Sequence, residues 1–379
     1  MNPTEVLVVG AGLAGLHTAT LLAERGHDVL LVERRTRLTT AIRTTGIFVR
    51  KTLDDFPLPA ECLGPPIRRV VLYPPGLCRP VTLVSGRDEY RVGDMAPLYV
   101  AAADRARAAG VRISLGTRYA GRCGAGFVVV GPHGPRTVRA RYVVGADGAR
   151  SRVARDLALD RNRHLLIGAE EVFSVSPGAD PPTFHCVLDP SLAPGYLAWV
   201  VNDGRHAHIG VAGHADRFPD GMRKALERFA KEAPGLPGAD RPIEVERRGG
   251  PIPVGGLLRR IGCADGLLVG DAAGAVSPLT AGGLDPCLRL SSLAADVLDE
   301  ALRAGPTALT QYDGAALRAH FRGRLLLRRG LAQVRTPAAA ALAFGLLRTP
   351  PGQAAARRIL FGDRSFPTSD GRLGWRGGH

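Results

Sequence analysis

The 379-residue sequence predicts an α/β protein: a parallel-sheet nucleotide-binding domain, an antiparallel β-sheet domain and C-terminal helices. Three strand-to-helix joints carry that prediction. In each, an apolar, β-branched run ends in a glycine-rich turn associated with a carboxylate, and a helix follows. One such joint is ordinary chain geometry. Three in one chain describe a place where backbone N–H groups and carboxylates meet a ligand bearing phosphates and hydroxyls.

The first joint opens the chain. Val6 to Val9 form a short strand, followed by Gly10-Ala11-Gly12-Leu13-Ala14-Gly15 and an Ala/Leu-rich helix to about Arg25. Gly26 ends that helix, and Val29 to Val32 make a second strand closing on Glu33. The glycines allow a tight turn, close approach to a pyrophosphate and close helix–strand packing, while the helix N-terminus attracts the phosphates. Glu33 stands where a carboxylate accepts both ribose hydroxyls, which completes a Rossmann-like dinucleotide unit. Arg34 and Arg35 follow it and are candidates for reading a cofactor 2′-phosphate, with solvated charge as the alternative.

The second joint is Tyr142-Val-Val-Gly-Ala-Asp147-Gly148-Ala-Arg-Ser151, where Ser151 caps a helix from Arg152 to Leu157. Taken alone, Asp147 reads as a capping residue. The third is Gly266-Leu-Leu-Val-Gly270-Asp271, then a small-residue turn, Pro278, and Gly282-Gly283-Leu284 opening a helix. It sets the Asp271 carboxylate beside free N–H groups.

Together the GxGxxG start, the ADGxRSxVAR segment and the VGDAAGxxxPLTxGG segment resemble the FAD-dependent enzymes of the aromatic hydroxylase fold, over roughly residues 5 to 300. That group includes flavin hydroxylases, flavin halogenases, lycopene cyclases and geranylgeranyl reductases. The resemblance implies a glutathione-reductase-type FAD-binding domain. It also implies that Gly10, Gly12, Leu13, Ala14 and Gly15 hold the pyrophosphate and Glu33, with Arg34, the adenosine ribose end. Gly270 and Asp271 would bind the pyrophosphate–ribityl region, Pro278, Gly282, Gly283 and Leu284 would lie against the flavin, and Asp147 and Gly148 would line the groove.

The branch follows from what surrounds these motifs. Flavin hydroxylases usually carry His after GDAA, where this chain has Gly274, and the halogenase Trp-x-Trp-x-Ile-Pro segment is absent. Gly274 with Ser277-Pro-Leu-Thr-Ala-Gly-Gly283, and the small-residue helix Leu288 to Leu298, is most similar to the geranylgeranyl reductase family. There are departures. Gly195-Tyr-Leu-Ala-Trp-Val-Val-Asn202 keeps Trp199 but lacks the family's Phe-Pro, and a Cys-Gly segment near the flavin is replaced by Thr44-Thr45-Gly46. The Arg usual at the start of the mid-domain helix aligns with Met95.

Strands predicted at Val70 to Tyr73, Val81 to Val84, Thr183 to Leu188, Tyr196 to Val201 and His206 to Val211 make an antiparallel sheet roofing the flavin, with Asp203-Gly204 as a hairpin signal. A helix at Ala101 to Ala109 and a strand at Val111 to Leu115 return the chain to the cofactor sheet. The cofactor domain is therefore expected at 1–69, 97–165 and 261–305, the substrate domain at 70–96 and 166–260, and a helical region at 306–379. Tyr196 and Trp199 are candidate cavity walls, with plain core as the alternative. His206 and His208 share a strand face and could suggest a metal pair, but without a recognisable Cys or acidic ligand set an exposed edge is expected rather than a metal. Asp54 and Asp55 read as a solvated turn.

The C-terminal part reads as a helix from Leu309 to Leu331 carrying five arginines, then an apolar run Ala338 to Leu347. About ten apolar residues cannot span a bilayer. A basic, apolar helical end suits a peripheral membrane contact, with packing on the cofactor domain as the alternative. The formal net charge is +15, nearly all of it dispersed Arg, which argues against nucleic acid. Six scattered cysteines read as reduced, buried thiols, and a strand within about five residues of the start leaves no room for a signal peptide. A cytoplasmic location is expected.

The activity expected is FAD-dependent reduction of C=C bonds in an isoprenoid or other apolar substrate, with NAD(P)H or ferredoxin as electron donor. Acid–base residues are scarce, and reduction needs only hydride and one proton. A long apolar chain is held by burial at about 0.8 kcal/mol per CH₂. The alternatives are an FAD-dependent monooxygenase on an apolar secondary metabolite, and a protein that binds FAD or lipid without turnover.

Overall fold

The computed structural model describes residues 3–124, 126–175, 181–203, 205–236 and 244–362. Its centre is a six-stranded sheet in the order Gly262–Cys263, Gly266–Leu268, Ala140–Gly145, Thr4–Val9, Val29–Val32, Arg112–Ser114. All neighbours run parallel except the first pair. Val6, Leu7 and Val8 are wholly buried, as continuous apolar strands are when both faces of a parallel sheet are covered. Helices Leu13–Glu24 and Leu284–Ala304 pack together over this sheet.

The roof is a seven-stranded sheet in the order Glu244–Pro253, Leu165–Ser174, His206–Gly213, Ala198–Asn202, Thr183–Val187, Arg69–Tyr73, Val81–Val84. Only Thr183–Val187 and Arg69–Tyr73 pair parallel, because the two strands belong to separate passes of the chain. A three-stranded antiparallel sheet, Arg118–Cys123, Gly126–Gly131 and Gly134–Val138, flanks the central sheet, and Ile47–Val49 pairs with Tyr90–Val92.

Several boundaries differ from expectation. The mid-chain helix is Met95–Ala108, starting six residues early because the Asp94 side chain accepts from the Ala96 N–H and caps it. Tyr196 precedes its strand, which starts at Ala198. The single helix expected from Leu309 to Leu331 is broken into Thr307–Thr310, Gly314–Arg318, a 3₁₀ turn and Arg322–Leu331. Gly314 lies so close to the Leu258 carbonyl that a Cβ would sit 1.8 Å from it, so tertiary packing bends the chain there. Asp55 does not lie in a solvated turn; it ends helix Arg50–Asp55 and meets Arg289 at 2.7 Å and Lys51 at 3.0 Å. Gly204 of the expected hairpin, and the end of the chain from Phe366, lie outside the described residues. Cys78 and Cys123 are exposed, which the expectation of buried thiols did not foresee.

Candidate cofactor and substrate site

The three joints converge. At φ +110° Gly10 sits against the second joint, and a Cβ there would lie 2.4 Å from the Ala146 carbonyl. Gly15 presses the first helix onto that turn, where a Cβ would come within 1.9 Å of the Gly10 carbonyl. Gly270 meets Ala14, its would-be Cβ 2.8 Å from the Ala14 methyl. Leu13 and Ala14 are themselves buried and hold the helix start in place. Over Gly12 and Gly148, by contrast, nothing stands within 4 Å, so the backbone stays open to a close ligand.

Glu33 is buried at the end of its strand and accepts from the Ala11 N–H at 2.8 Å and the Arg35 N–H at 2.9 Å. Burial pushes its carboxyl up, but the Arg35 amide and guanidinium and the Ala11 amide outweigh this and hold it below the usual range. Oε1 takes both the Arg35 amide and its guanidinium Nε–H, so Oε2, engaged by the Ala11 amide alone, keeps a lone pair for a hydroxyl. Arg34 is exposed, and Arg35 is the arginine that builds the site. Its guanidinium donates to Glu33 and to the Ala11 carbonyl and stands over the Tyr99 ring.

Asp147 accepts from the Ser151 hydroxyl and from the amides of Arg152 and Val153, so its carboxylate caps helix Arg152–Asp156. Asp271 differs. Its carboxylate makes no hydrogen bond among the described residues, and burial alone pushes it up to about 6. Asp271 is partly buried, so its unpartnered carboxylate stays within reach of a ligand that supplies donors. Beside the open glycines and the free amides of the Leu284–Ala304 helix, this donor-seeking group fits the hydroxylated, phosphorylated body of FAD.

The turn between them is held from outside. Gly274, at φ +73°, abuts the Gly256 carbonyl and Asn162, and Asn162 donates to the Asp271 carbonyl at 2.8 Å. Pro278 is buried and the Ser277 amide donates to the Gly282 carbonyl, closing the loop that ends at Gly283. Ser277 Oγ accepts from Arg324 at 2.7 Å, and the Thr280 carbonyl accepts from the Tyr196 hydroxyl at 2.5 Å.

Tyr196 and Trp199 belong to one apolar cluster with Leu166, Cys186, Val254 and Phe344. Trp199 pairs across the strands with Gly210, whose missing side chain leaves room for the indole; a Cβ there would lie 2.1 Å from Trp199 Cζ2. The Trp199 N–H is buried without a partner among the described residues. On the next strand Gly210 pairs with Glu170, so Glu170, Gly210 and Trp199 form a row across one face.

That face carries a buried charge array which sequence reading missed. Both ring nitrogens of His208 are engaged: Nδ1 meets Glu170 at 3.2 Å and Nε2 meets Asp203 at 3.1 Å. Glu170 also accepts from the Thr45 hydroxyl, and Arg248 stands 3.6 Å from it while donating to the Thr44 carbonyl. Burial pulls His208 down, but the two carboxylates overcome this and raise it to about 9. The expected exposed edge is corrected: His208 lies on an inner strand and is 2% exposed. The available signal was Glu170-Glu171 inside an otherwise apolar strand, since buried carboxylates need partners. No group of residues with metal-binding geometry occurs among the described residues.

Residues 8–62 match the family described as NAD(P)-binding Rossmann-like domain, and residues 100–217 the FAD binding domain family. The chain is 33% identical over 320 residues to digeranylgeranylglycerophospholipid reductase 1 of Methanopyrus kandleri, covering 80% of this chain and 82% of that one. It is 30% identical over 351 residues to the digeranylgeranylglycerophospholipid reductase of Methanoculleus marisnigri, covering 86% and 85%. Among solved structures, a geranylgeranyl bacteriochlorophyll reductase-like protein of Thermoplasma acidophilum matches with a TM-score of 0.79 at 21% identity, over 95% of this chain and all of that one. A probable FAD-dependent monooxygenase from Pseudomonas aeruginosa shares the fold with a TM-score of 0.65 at 23% identity, over 91% of this chain and 100% of its own.

Proposed function

Because the chain belongs to the geranylgeranyl reductase family of FAD-dependent oxidoreductases, we propose that it reduces C=C bonds of an isoprenoid chain carried on a lipid. The observation that supports this reading most is the loop Ser277–Gly283. One end adjoins the unpartnered Asp271 carboxylate, and its Thr280 carbonyl is tied to Tyr196 in an apolar wall. An apolar chain lying on that wall would run beside the cofactor, with water excluded.

Bound reduced FAD supplies the hydride. The residues of the chain bind and orient. Gly10, Gly12 and Gly15 let the backbone approach the pyrophosphate; Glu33 takes the ribose; Asp271 accepts from the hydroxylated chain of the cofactor. Tyr196 holds the loop on which the ring would rest, and Trp199 lines the substrate path with an N–H free to donate. Reducing equivalents come from an external donor, NAD(P)H or a ferredoxin.

The test begins with the visible spectrum of the purified protein. After anaerobic reduction, mixing with a polyprenyl lipid should reoxidise the flavin and yield a product heavier by two hydrogens per bond. Reoxidation by oxygen alone, with an oxygenated product, would make the protein a monooxygenase.

A further inference from the structure

Helix Pro337–Leu347 is built entirely from Pro, Ala, Leu, Phe and Gly, yet only Ala340 and Phe344 are buried. Leu342 is 80% and Leu346 71% exposed, four residues apart on one face. The preceding helix, Arg322–Leu331, turns Arg324 and Arg328 inward and leaves Leu326 and Leu327 exposed beside Arg322 and Arg329. A helix that is apolar all round belongs in a core or against another apolar phase.

Charge identifies that phase. Residues 314–362 contain nine arginines and no aspartate, glutamate or lysine. Arg335 and Arg348 flank the apolar helix, and Arg348 is braced over the Phe344 ring. No helix among the described residues is long and apolar enough to cross a membrane. A short apolar ridge rimmed by cations of one sign lies in the interface of an anionic bilayer. An apolar protein partner would not require a 49-residue stretch with arginines and no acid.

The buried side of the same helix leads inward. Phe344 and Leu347 pack in the cluster that contains Tyr196 and Trp199. The exposed ridge and the apolar wall are thus two faces of one structure.

We propose that helices Arg322–Leu331 and Pro337–Leu347 form a docking surface for an anionic lipid bilayer, oriented so that a lipid chain passes from the membrane along Phe344 to the Tyr196–Trp199 wall. This extends the lipid-reductase reading and rests on it for the path, though not for the docking.

The full-length FAD-loaded protein should float with vesicles of phosphatidylglycerol and phosphatidylcholine and stay unbound with phosphatidylcholine alone. Raising salt from about 0.1 to 0.5 M should weaken binding roughly tenfold. L342D/L346D should lose at least roughly tenfold while keeping the wild-type melting temperature, because both positions are exposed. Leu342→Trp should be quenched by brominated lipid. The proposal is overturned if wild type does not float, if L342D/L346D floats as wild type does, or if that variant instead converts a dimer into monomers. Turnover of a detergent-dispersed isoprenoid separates the two readings. A wild type that floats but never reduces the substrate defeats the reductase reading alone. A variant that reduces it at the wild-type rate but does not float supports the surface.

Discussion

The hydroxyl of Tyr196 donates to the carbonyl oxygen of Thr280 at 2.5 Å, across 84 residues of chain. It fastens the roofing sheet to the turn that follows Gly270-Asp271. The tyrosine ring is at the same time part of the apolar cluster under the roofing sheet, so one side chain joins that cluster to the Ser277–Gly283 loop. Tyr196→Phe keeps the wall and deletes the tie. Stability should fall by about 1 kcal/mol, and FAD should dissociate faster in stopped-flow displacement. An unchanged release rate would mean that the loop is held by Arg324 on Ser277 alone.

Asp271 is partly buried and has no hydrogen-bond donor among the described residues, a poor arrangement for the cofactor-free protein and a good one for binding. Its carboxyl is raised from 3.8 to about 6. The folded state therefore holds the proton more tightly, and the contribution of this group to apo stability declines as pH rises from about 4 through 6. Asp271→Asn should leave apoprotein more stable than wild type at pH 8 and about equal at low pH. The same change should weaken FAD roughly tenfold, about 1.4 kcal/mol, measured by calorimetric titration.

His208 obeys the opposite sign. Its folded value is raised from 6.5 to about 9, so the stabilisation it gives is complete below pH 6.5 and is lost as pH rises through about 9. Asp203 and Glu170 are held low by the same contacts, and their contribution is lost only under acid. His208→Ala leaves two buried carboxylates facing each other and should cost roughly 3 kcal/mol. Thermal unfolding of wild type and variant across pH 6 to 10 should show the gap narrowing toward alkaline pH.

Gly274 occupies the place where flavin hydroxylases usually carry His. At φ +73°, with a Cβ position 2.7 Å from the Gly256 carbonyl and 2.9 Å from Asn162 Oδ1, the site admits no side chain. Gly274→His should destabilise the protein by at least about 2 kcal/mol and lower FAD content, without producing hydroxylation. A stable, fully yellow G274H would show that the turn can move and that the glycine is a chemical choice.

Much of this was legible in the sequence. Gly10 to Gly15, Glu33 and Gly270-Asp271 announce themselves because turns packed this tightly between strand and helix leave few residue choices, and those choices are local. The buried runs Val6 to Val9 and Val29 to Val32 reveal a parallel sheet for the same reason: burial on both faces forces continuous apolar strands. Tyr196 and Trp199 were found as wall candidates, although nothing local disclosed that the tyrosine hydroxyl is spent on Thr280.

What the tertiary structure alone decided concerns partners distant in the chain. Arg35, not Arg34, faces inward because Glu33 and the Ala11 carbonyl meet it there. Asp147 caps its helix while Asp271, with the same local motif, is left open; the difference lies in which helix amides each can reach. His208 became a buried cation because strand register set it between Glu170 and Asp203, and Glu170 lies 38 residues away. The sequence determined the nucleotide-binding fold and the glycine turns that converge in it, since those constraints act within a few residues. Which carboxylate stays free, and which apolar helix stays uncovered, depends on long-range packing that no local pattern records.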